Sequence, residues 1–197
     1  RTQTAPGRAP YFYEEDNWVD DMELAAAEIY TASLKHGKPG ADTYLKEALS
    51  YASQEKVTPW MGSDTARHYQ WYPFVNYGHY ALANEQKESA ASPALKYIIE
   101  GIERLVEKGK NNPFMVGVPF IWCSNNLVSA AITQFAFYRK VKGSNRYREY
   151  EAAHRDWLLG CNPWGVSMII GFPQGGNFPK DPHSSLAHLY GYPLTGG

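Results

Sequence analysis

The chain has 197 residues, enough for one domain or one and a half, and its 44% apolar content suffices for a sizeable core. A formal net charge of −1 leaves no basic field to hold a phosphate backbone, which argues against nucleic acid as a partner. No apolar run approaches the roughly 20 residues a membrane span needs, and residues 1–10 lack the apolar centre of a secretory signal, so any export signal would lie outside this sequence.

Asp20-Asp21-Met22-Glu23 has the pattern of an N-cap followed three residues later by Glu, and it opens an Ala-rich run that predicts a first helix to about Leu34. His36-Gly37-Lys38-Pro39-Gly40 breaks that run. Asp42 is placed to cap a second helix in which Tyr44, Leu45, Ala48, Leu49 and Ala52 share one face. Residues 57–73 show no period and carry Trp60, His68, Tyr69, Trp71 and Tyr72, the composition of a loop rich in rings.

A third helix is predicted from about Phe74 to Gln86. Ser92-Pro93 is an N-cap with Pro at the first helical position, and Leu95, Ile98, Ile99, Ile102, Leu105 and Val106 trace the apolar stripe of a fourth. A fifth helix begins at Ser124, with Leu127, Val128, Ala131, Phe135 and Tyr138 inward. A sixth runs from about Arg146 to Leu159 and stops at Gly160, the residue type that most often ends a helix.

No β-alternation separates these helices, and Glu14-Glu15-Asp16 reads as a solvated loop flank. The expectation is an all-α chain of about three helical hairpins followed by a long ordered C-terminal loop segment. Short turns fall after the first, third and fifth helices; the long aromatic loops fall after the second, fourth and sixth, which gathers them at one rim.

Aromatic residues are the anomaly of the composition: 15 Tyr, 6 Trp and 8 Phe. Sugar rings present flat C–H faces that stack on aromatic faces while their hydroxyls seek polar side chains, so this richness suits a glycan cleft as readily as a Tyr-rich core. Beyond Gly160 about a third of residues are Gly or Pro, yet Trp164, Ile169, Ile170, Phe172, Phe178, Leu186 and Tyr190 persist as apolar anchors, which marks an ordered functional segment rather than a linker.

That segment carries a family resemblance. Asp156-Trp157-Leu158-Leu159-Gly160-Cys161-Asn162-Pro163-Trp164-Gly165-Val166-Ser167, then Gly171 and Pro182-His183, resembles the family 9 glycoside hydrolase pattern "LGxNPxGxSxxxG" leading into "PHxR". Trp122-Cys123-Ser124-Asn125-Asn126 is similar to the family's "WGSN" at the start of an inner helix, and Asp20-Asp21 to its "DE" helix start. The resemblance implies an (α/α)6 barrel of six hairpins, with residues 1–197 forming a partial catalytic domain incomplete at both ends. It implies hydrolysis of β-1,4-glucosidic bonds in cellulose or a related β-glucan with inversion, and a secreted or periplasmic location.

Inversion needs one carboxylic acid to protonate the leaving oxygen and one carboxylate to activate water, roughly 6.5–9.5 Å apart. The family's "DAGD"-like motif does not occur here, and its Glu downstream of "PH" is not reached. The resemblance therefore implies no catalytic residue in this segment and a piece inactive by itself, with the remaining segments of its own catalytic domain as partner. The alternative is a glycan-binding helical-toroid remnant without chemistry.

For substrate binding the resemblance points to His183, at the "PH" position, as a contact to the sugar beside the scissile bond; the alternative is a loop His that satisfies local backbone. Ser185 stands where the family has Arg, a departure that removes a charged planar fork. Trp122 and Trp71 serve either as stacking platforms or as core, with Tyr72, His68 and Trp60 as rim candidates. No cofactor is required. Asp20 and Asp21 are helix caps or, as in some family members, ligands of a structural calcium, which would need further oxygens. Cys123 and Cys161 lie at one rim, and whether they pair depends on their separation.

Overall fold

A computed structural model describes residues 2–3, 14–15, 17–62, 76–86, 92–121 and 124–179. Two strands of two residues each, β1 (Thr2–Gln3) and β2 (Glu14–Glu15), pair antiparallel, with Thr2 opposite Glu15. The expected loop flank at Glu14 and Glu15 is thus the second strand of a minimal ladder, too short to leave an alternation in the sequence. All other regular structure among the described residues is helical: α1 (Val19–Lys35), α2 (Ala41–Ala52), α3 (Pro59–Gly62), α4 (Tyr77–Glu85), α5 (Pro93–Gly109), α6 (Ser124–Lys142) and α7 (Arg148–Leu158).

Helices α1/α2, α4/α5 and α6/α7 follow one another as three hairpins, and α4 occupies the middle of the row, packing on α1 to one side and α6 to the other. Close approach of α1 and α2 rests on small side chains: Ala27, Ala48 and Ala52 are fully buried. The stripe of α5 buries Leu95, Ile98, Ile102, Leu105 and Val106 as its spacing predicts, at about 2 kcal/mol of transfer free energy for each large aliphatic side chain. In α6 the expected inward residues Leu127, Val128, Ala131, Phe135 and Tyr138 are all buried. Arg139 of α6 grips Glu151 of α7 through two parallel hydrogen bonds, Nε to Oε2 at 3.2 Å and Nη2 to Oε1 at 3.0 Å.

The helix ends show where local signals hold and where they yield. Ser92 caps α5, its hydroxyl accepting from the Leu95 amide at 3.5 Å with Pro93 at the first position. At the end of α7, Gly160 takes φ +106°, its amide donates to the Trp157 carbonyl at 3.3 Å, and the Cys161 amide donates to the Asp156 carbonyl at 2.8 Å, a Schellman stop. Gly37 closes α1 in the same way, with the Lys38 amide on the Ser33 carbonyl at 2.8 Å.

The expected capping roles of Asp20, Asp21 and Asp42 do not hold. Helix α1 starts earlier, at Val19, whose amide is received by the Asn17 side chain at 3.1 Å, so Asp20 and Asp21 sit inside the first turn, where they favour the positive end of the helix dipole. Glu23 does not close a capping box; it is buried against His79. Asp42 likewise lies within the first turn of α2, which follows Gly40 at φ +85°.

The aperiodic stretch after residue 57 contains the single turn α3, and Trp60, expected near the rim, is fully buried in the core. A polar relay crosses this region: the Thr58 hydroxyl donates to Asn76 Oδ1 at 2.9 Å, and Asn76 Nδ2 donates to Gln134 Oε1 at 3.0 Å in the middle of α6.

Candidate substrate face

Helix α5 ends, α6 begins and α7 ends at one rim, and the loops that join them there hold the ring-rich sequence. The first loop opens with Asn112-Pro113-Phe114-Met115-Val116, the second with Asn162-Pro163-Trp164-Gly165-Val166, and the two fold alike. Asn162 Oδ1 accepts the amides of Trp164 at 3.1 Å and Val166 at 3.3 Å, while Nδ2 donates to the Val166 carbonyl at 2.7 Å. Asn112 Oδ1 accepts the amides of Phe114 at 3.0 Å and Val116 at 3.2 Å, and its Nδ2 donates to the Val116 carbonyl.

The fourth residue is left-handed in both, Met115 at φ 56° and Gly165 at φ 61°. One amide side chain thus satisfies the turn from inside, which suits Asn because it offers donors and acceptors together. This repeat escapes a reading of single motifs; comparing Asn-Pro-aromatic-x-Val at the two sites would have found it.

Asn162 also donates to the Trp157 carbonyl at 2.8 Å, pinning its loop to the last turn of α7. Ser167, fully buried, continues the anchoring: its hydroxyl donates to the Phe172 carbonyl at 2.6 Å and accepts the Ile169 amide at 3.1 Å, and its own amide donates to the Asn177 carbonyl at 2.8 Å. The Asn and Ser of the "LGxNPxGxS" pattern are therefore the scaffold that fixes this loop.

Between the loops lies a cavity of about 310 Å³ whose lining includes Phe114, Val118, Phe120, Val128, Trp157 and Pro163, with no charged side chain among the described residues that line it. Its rings interlock. Phe114 meets Trp157 edge-on at 5.6 Å between centroids, Trp157 meets Trp164 edge-on at 5.9 Å, and Trp164 stacks on Phe120 at 5.9 Å and 24°.

Beneath this face His154 of α7 is buried and neutral. Its Nδ1 donates to the Tyr150 carbonyl at 2.7 Å and its Nε2 accepts the Gly117 amide at 3.4 Å. Burial pushes its pKa down to about 4, against the smaller upward pull of the Tyr150 carbonyl.

Of the side chains expected to bind substrate, His183, Ser185, Trp122, Trp71, Tyr72 and His68 all lie outside the described residues. Asp20 and Asp21 are described: Asp20 is half-buried and Asp21 exposed. Burial, then the nearby charges of Asp21 and Glu55, raise the Asp20 carboxyl to about 6. The Asn17 side-chain amide donates to Glu55. Among the described residues no three His, Cys, Asp or Glu side chains are grouped to hold a metal ion, so the carboxylates of this patch do not by themselves make a calcium site. Cys161 is exposed with a free thiol, and Cys123 lies outside the described residues. No helix among the described residues is long and apolar enough to cross a membrane.

Endoglucanase A of Bacillus pumilus is 26% identical over 204 residues, covering 95% of this chain and 28% of that protein. Cellodextrinase of Butyrivibrio fibrisolvens is 25% identical over 176 residues, covering 87% of this chain and 32% of that protein. The chain thus spans about a third or less of the length of these curated relatives, and no solved structure matches it significantly. The family model for glycosyl hydrolase family 9 matches residues 1–196, and the chain belongs to that family.

Proposed function

We propose that the chain forms part of the substrate cleft of a hydrolase that cleaves β-1,4-glucosidic bonds in cellulose or a related β-glucan with inversion. The observation that carries this reading is the family match over residues 1–196, supported by the names of the two relatives, an endoglucanase and a cellodextrinase. In this reading the acid that protonates the leaving oxygen and the base that activates water come from other parts of the same protein, and these 197 residues alone do not turn over substrate. His183 holds a sugar hydroxyl beside the scissile bond, Trp122 and Trp71 offer stacking faces, and Tyr72, His68 and Ser185 belong to the rim. The protein acts outside the cytoplasm, where polymeric glucan is found.

A structural calcium at Asp20 and Asp21 belongs to the same proposal and requires oxygen ligands beyond the described carboxylates. A rise in melting temperature of the complete protein on adding calcium, reversed by chelation, would support it, and no shift would remove it.

The deciding experiment assays the complete protein on cellulose, mixed-linkage glucan and xyloglucan and follows the anomeric proton of the first product by NMR. Release of α-configured ends from a β-linked substrate is expected. Binding of glucan without any release would instead favour the glycan-binding remnant. His183→Ala in the complete protein is expected to lower kcat/KM at least about tenfold, roughly 1.4 kcal/mol of transition-state stabilisation; unchanged kinetics would take His183 out of the cleft.

A further inference from the structure

Phe120 is 75% exposed and Trp164 53% exposed, yet neither is a loose surface ring. The Trp164 amide is tied to the buried Asn162, its indole is braced edge-on by Trp157, and it stacks on Phe120. A centroid separation of 5.9 Å at 24° means that the two rings are offset, since atoms in direct contact sit roughly 3.5–4 Å apart. Each therefore leaves part of a face uncovered, and together they form a stepped aromatic shelf beside the cavity.

The chemistry of that shelf selects its occupant. None of the described residues that line the adjoining cavity is charged, so they offer nothing to offset the hydration an anionic or cationic ligand would lose. A pyranose is neutral, and its flat C–H face matches a fixed aromatic plane while its hydroxyls stay in water at the edge. Prior fixing of the rings reduces the ordering cost that weakens binding to mobile side chains. In sequence, Phe120 stands two residues before Trp122, and Trp164 belongs to the same C-terminal segment as His183.

We propose that Phe120 and Trp164 form an additional stacking subsite that takes a glucosyl ring of a β-glucan chain. This rests on the reading of the chain as part of a β-glucan hydrolase and extends it to two residues that the family motif does not mark as sugar contacts.

The test titrates a thio-linked cellohexaose, which is not hydrolysed, into the complete protein by calorimetry. Phe120→Ala and Trp164→Ala are each expected to raise Kd at least about fivefold, with Trp164→Tyr recovering most of the loss. Because the Phe120 ring is largely exposed, its removal leaves the fold intact and guards against a Trp164 variant that unpacks Trp157. If both Ala variants bind as the wild type does, the subsite is overturned while the hydrolase reading stands. If the wild-type protein neither binds this ligand nor hydrolyses any β-glucan, the hydrolase reading falls and the subsite with it. Unchanged glycan affinity combined with altered self-association in sedimentation would overturn the subsite and assign the shelf to a protein contact.

Discussion

Glu23 of α1 and His79 of α4 meet inside the core, Oε1 to Nδ1 at 2.6 Å, with both side chains almost wholly buried. The other ring nitrogen, Nε2, faces the Lys56 carbonyl at 3.1 Å. Both partners of the ring are acceptors, so satisfying them takes two N–H donors, which only the imidazolium has. Burial opposes that charge, but the hydrogen bond and negative charge of Glu23, together with the Lys56 carbonyl and the charge of Glu55, outweigh it, and the net pKa of His79 is raised above its ordinary value.

The sign of the pH effect follows. A base whose folded pKa is raised contributes stability that is fully present below its unfolded value, roughly 6.5, and lost as pH rises through the folded one. Glu23→Ala leaves the imidazole buried without its partner and is expected to cost about 3 kcal/mol in denaturant unfolding at pH 6. The gap between wild type and variant should narrow as pH rises; a gap independent of pH would mean that His79 is neutral.

His154, a second buried imidazole among the described residues, gives the opposite behaviour. Its partners are one carbonyl and one amide, which fits the neutral ring with the proton on Nδ1. With its pKa at about 4 in the fold, acid protonates the unfolded chain first, so stability falls as pH drops from roughly 6.5 toward that value, by about 3 kcal/mol in full. His154→Gln, which retains a donor and an acceptor, is expected to flatten this slope in urea titrations across that range. An unaltered slope would move the acid sensitivity to other groups.

These two histidines also show what was legible in the sequence. Helix α5 could be read because Ser92, Pro93 and its apolar spacing are all local and agree. Gly37 and Gly160 were readable as stops for the same reason. Glu23 was not, because it looks like the last member of a capping box and its real partner lies 56 residues on. Trp60 sits in a stretch without period, so only tertiary packing reveals it as core. The family motif marks the loop after α7, but it could not separate the residues that hold that loop, Asn162 and Ser167, from the ring exposed on it, Trp164, or indicate that Phe120 of the α5–α6 loop would stack there. That distinction depends on burial and on which atoms the turn leaves unpaired.

Two glycines of the rim separate backbone strain from lack of space. Gly165 is left-handed at φ +61° with no described residue near the position of an added Cβ, so Gly165→Ala should cost only the conformational penalty, about 1 kcal/mol. A Cβ on Gly117 would lie 1.9 Å from the Leu105 carbonyl oxygen. Neither backbone can yield without displacing α5 or the Gly117 amide bonded to His154. Gly117→Ala is therefore expected to cost at least about 3 kcal/mol, or to prevent folding. Thermal unfolding of the two variants side by side checks the order; equal losses would contradict the steric account.

Asn162 fixes the turn that carries Trp164. Its side chain serves two amides and two carbonyls in a buried position, and no other residue type of its size presents donor and acceptor edges together. Asn162→Ala leaves those backbone groups to find water or remain unpaired, at about 1–3 kcal/mol for each group that stays buried. Asn162→Asp keeps the size but sets carboxylate oxygen against the Trp157 and Val166 carbonyls, so it should be at least as damaging at neutral pH and partly relieved by acid, which restores a donor. Because Asn162 also orients Trp164, its loss should release the indole from Trp157 and Phe120. The expected signature is a drop in near-ultraviolet circular dichroism larger than Gly165→Ala produces, at a temperature where both variants remain helical in the far ultraviolet. Retention of the native aromatic signal in Asn162→Ala would show that ring packing alone holds the shelf.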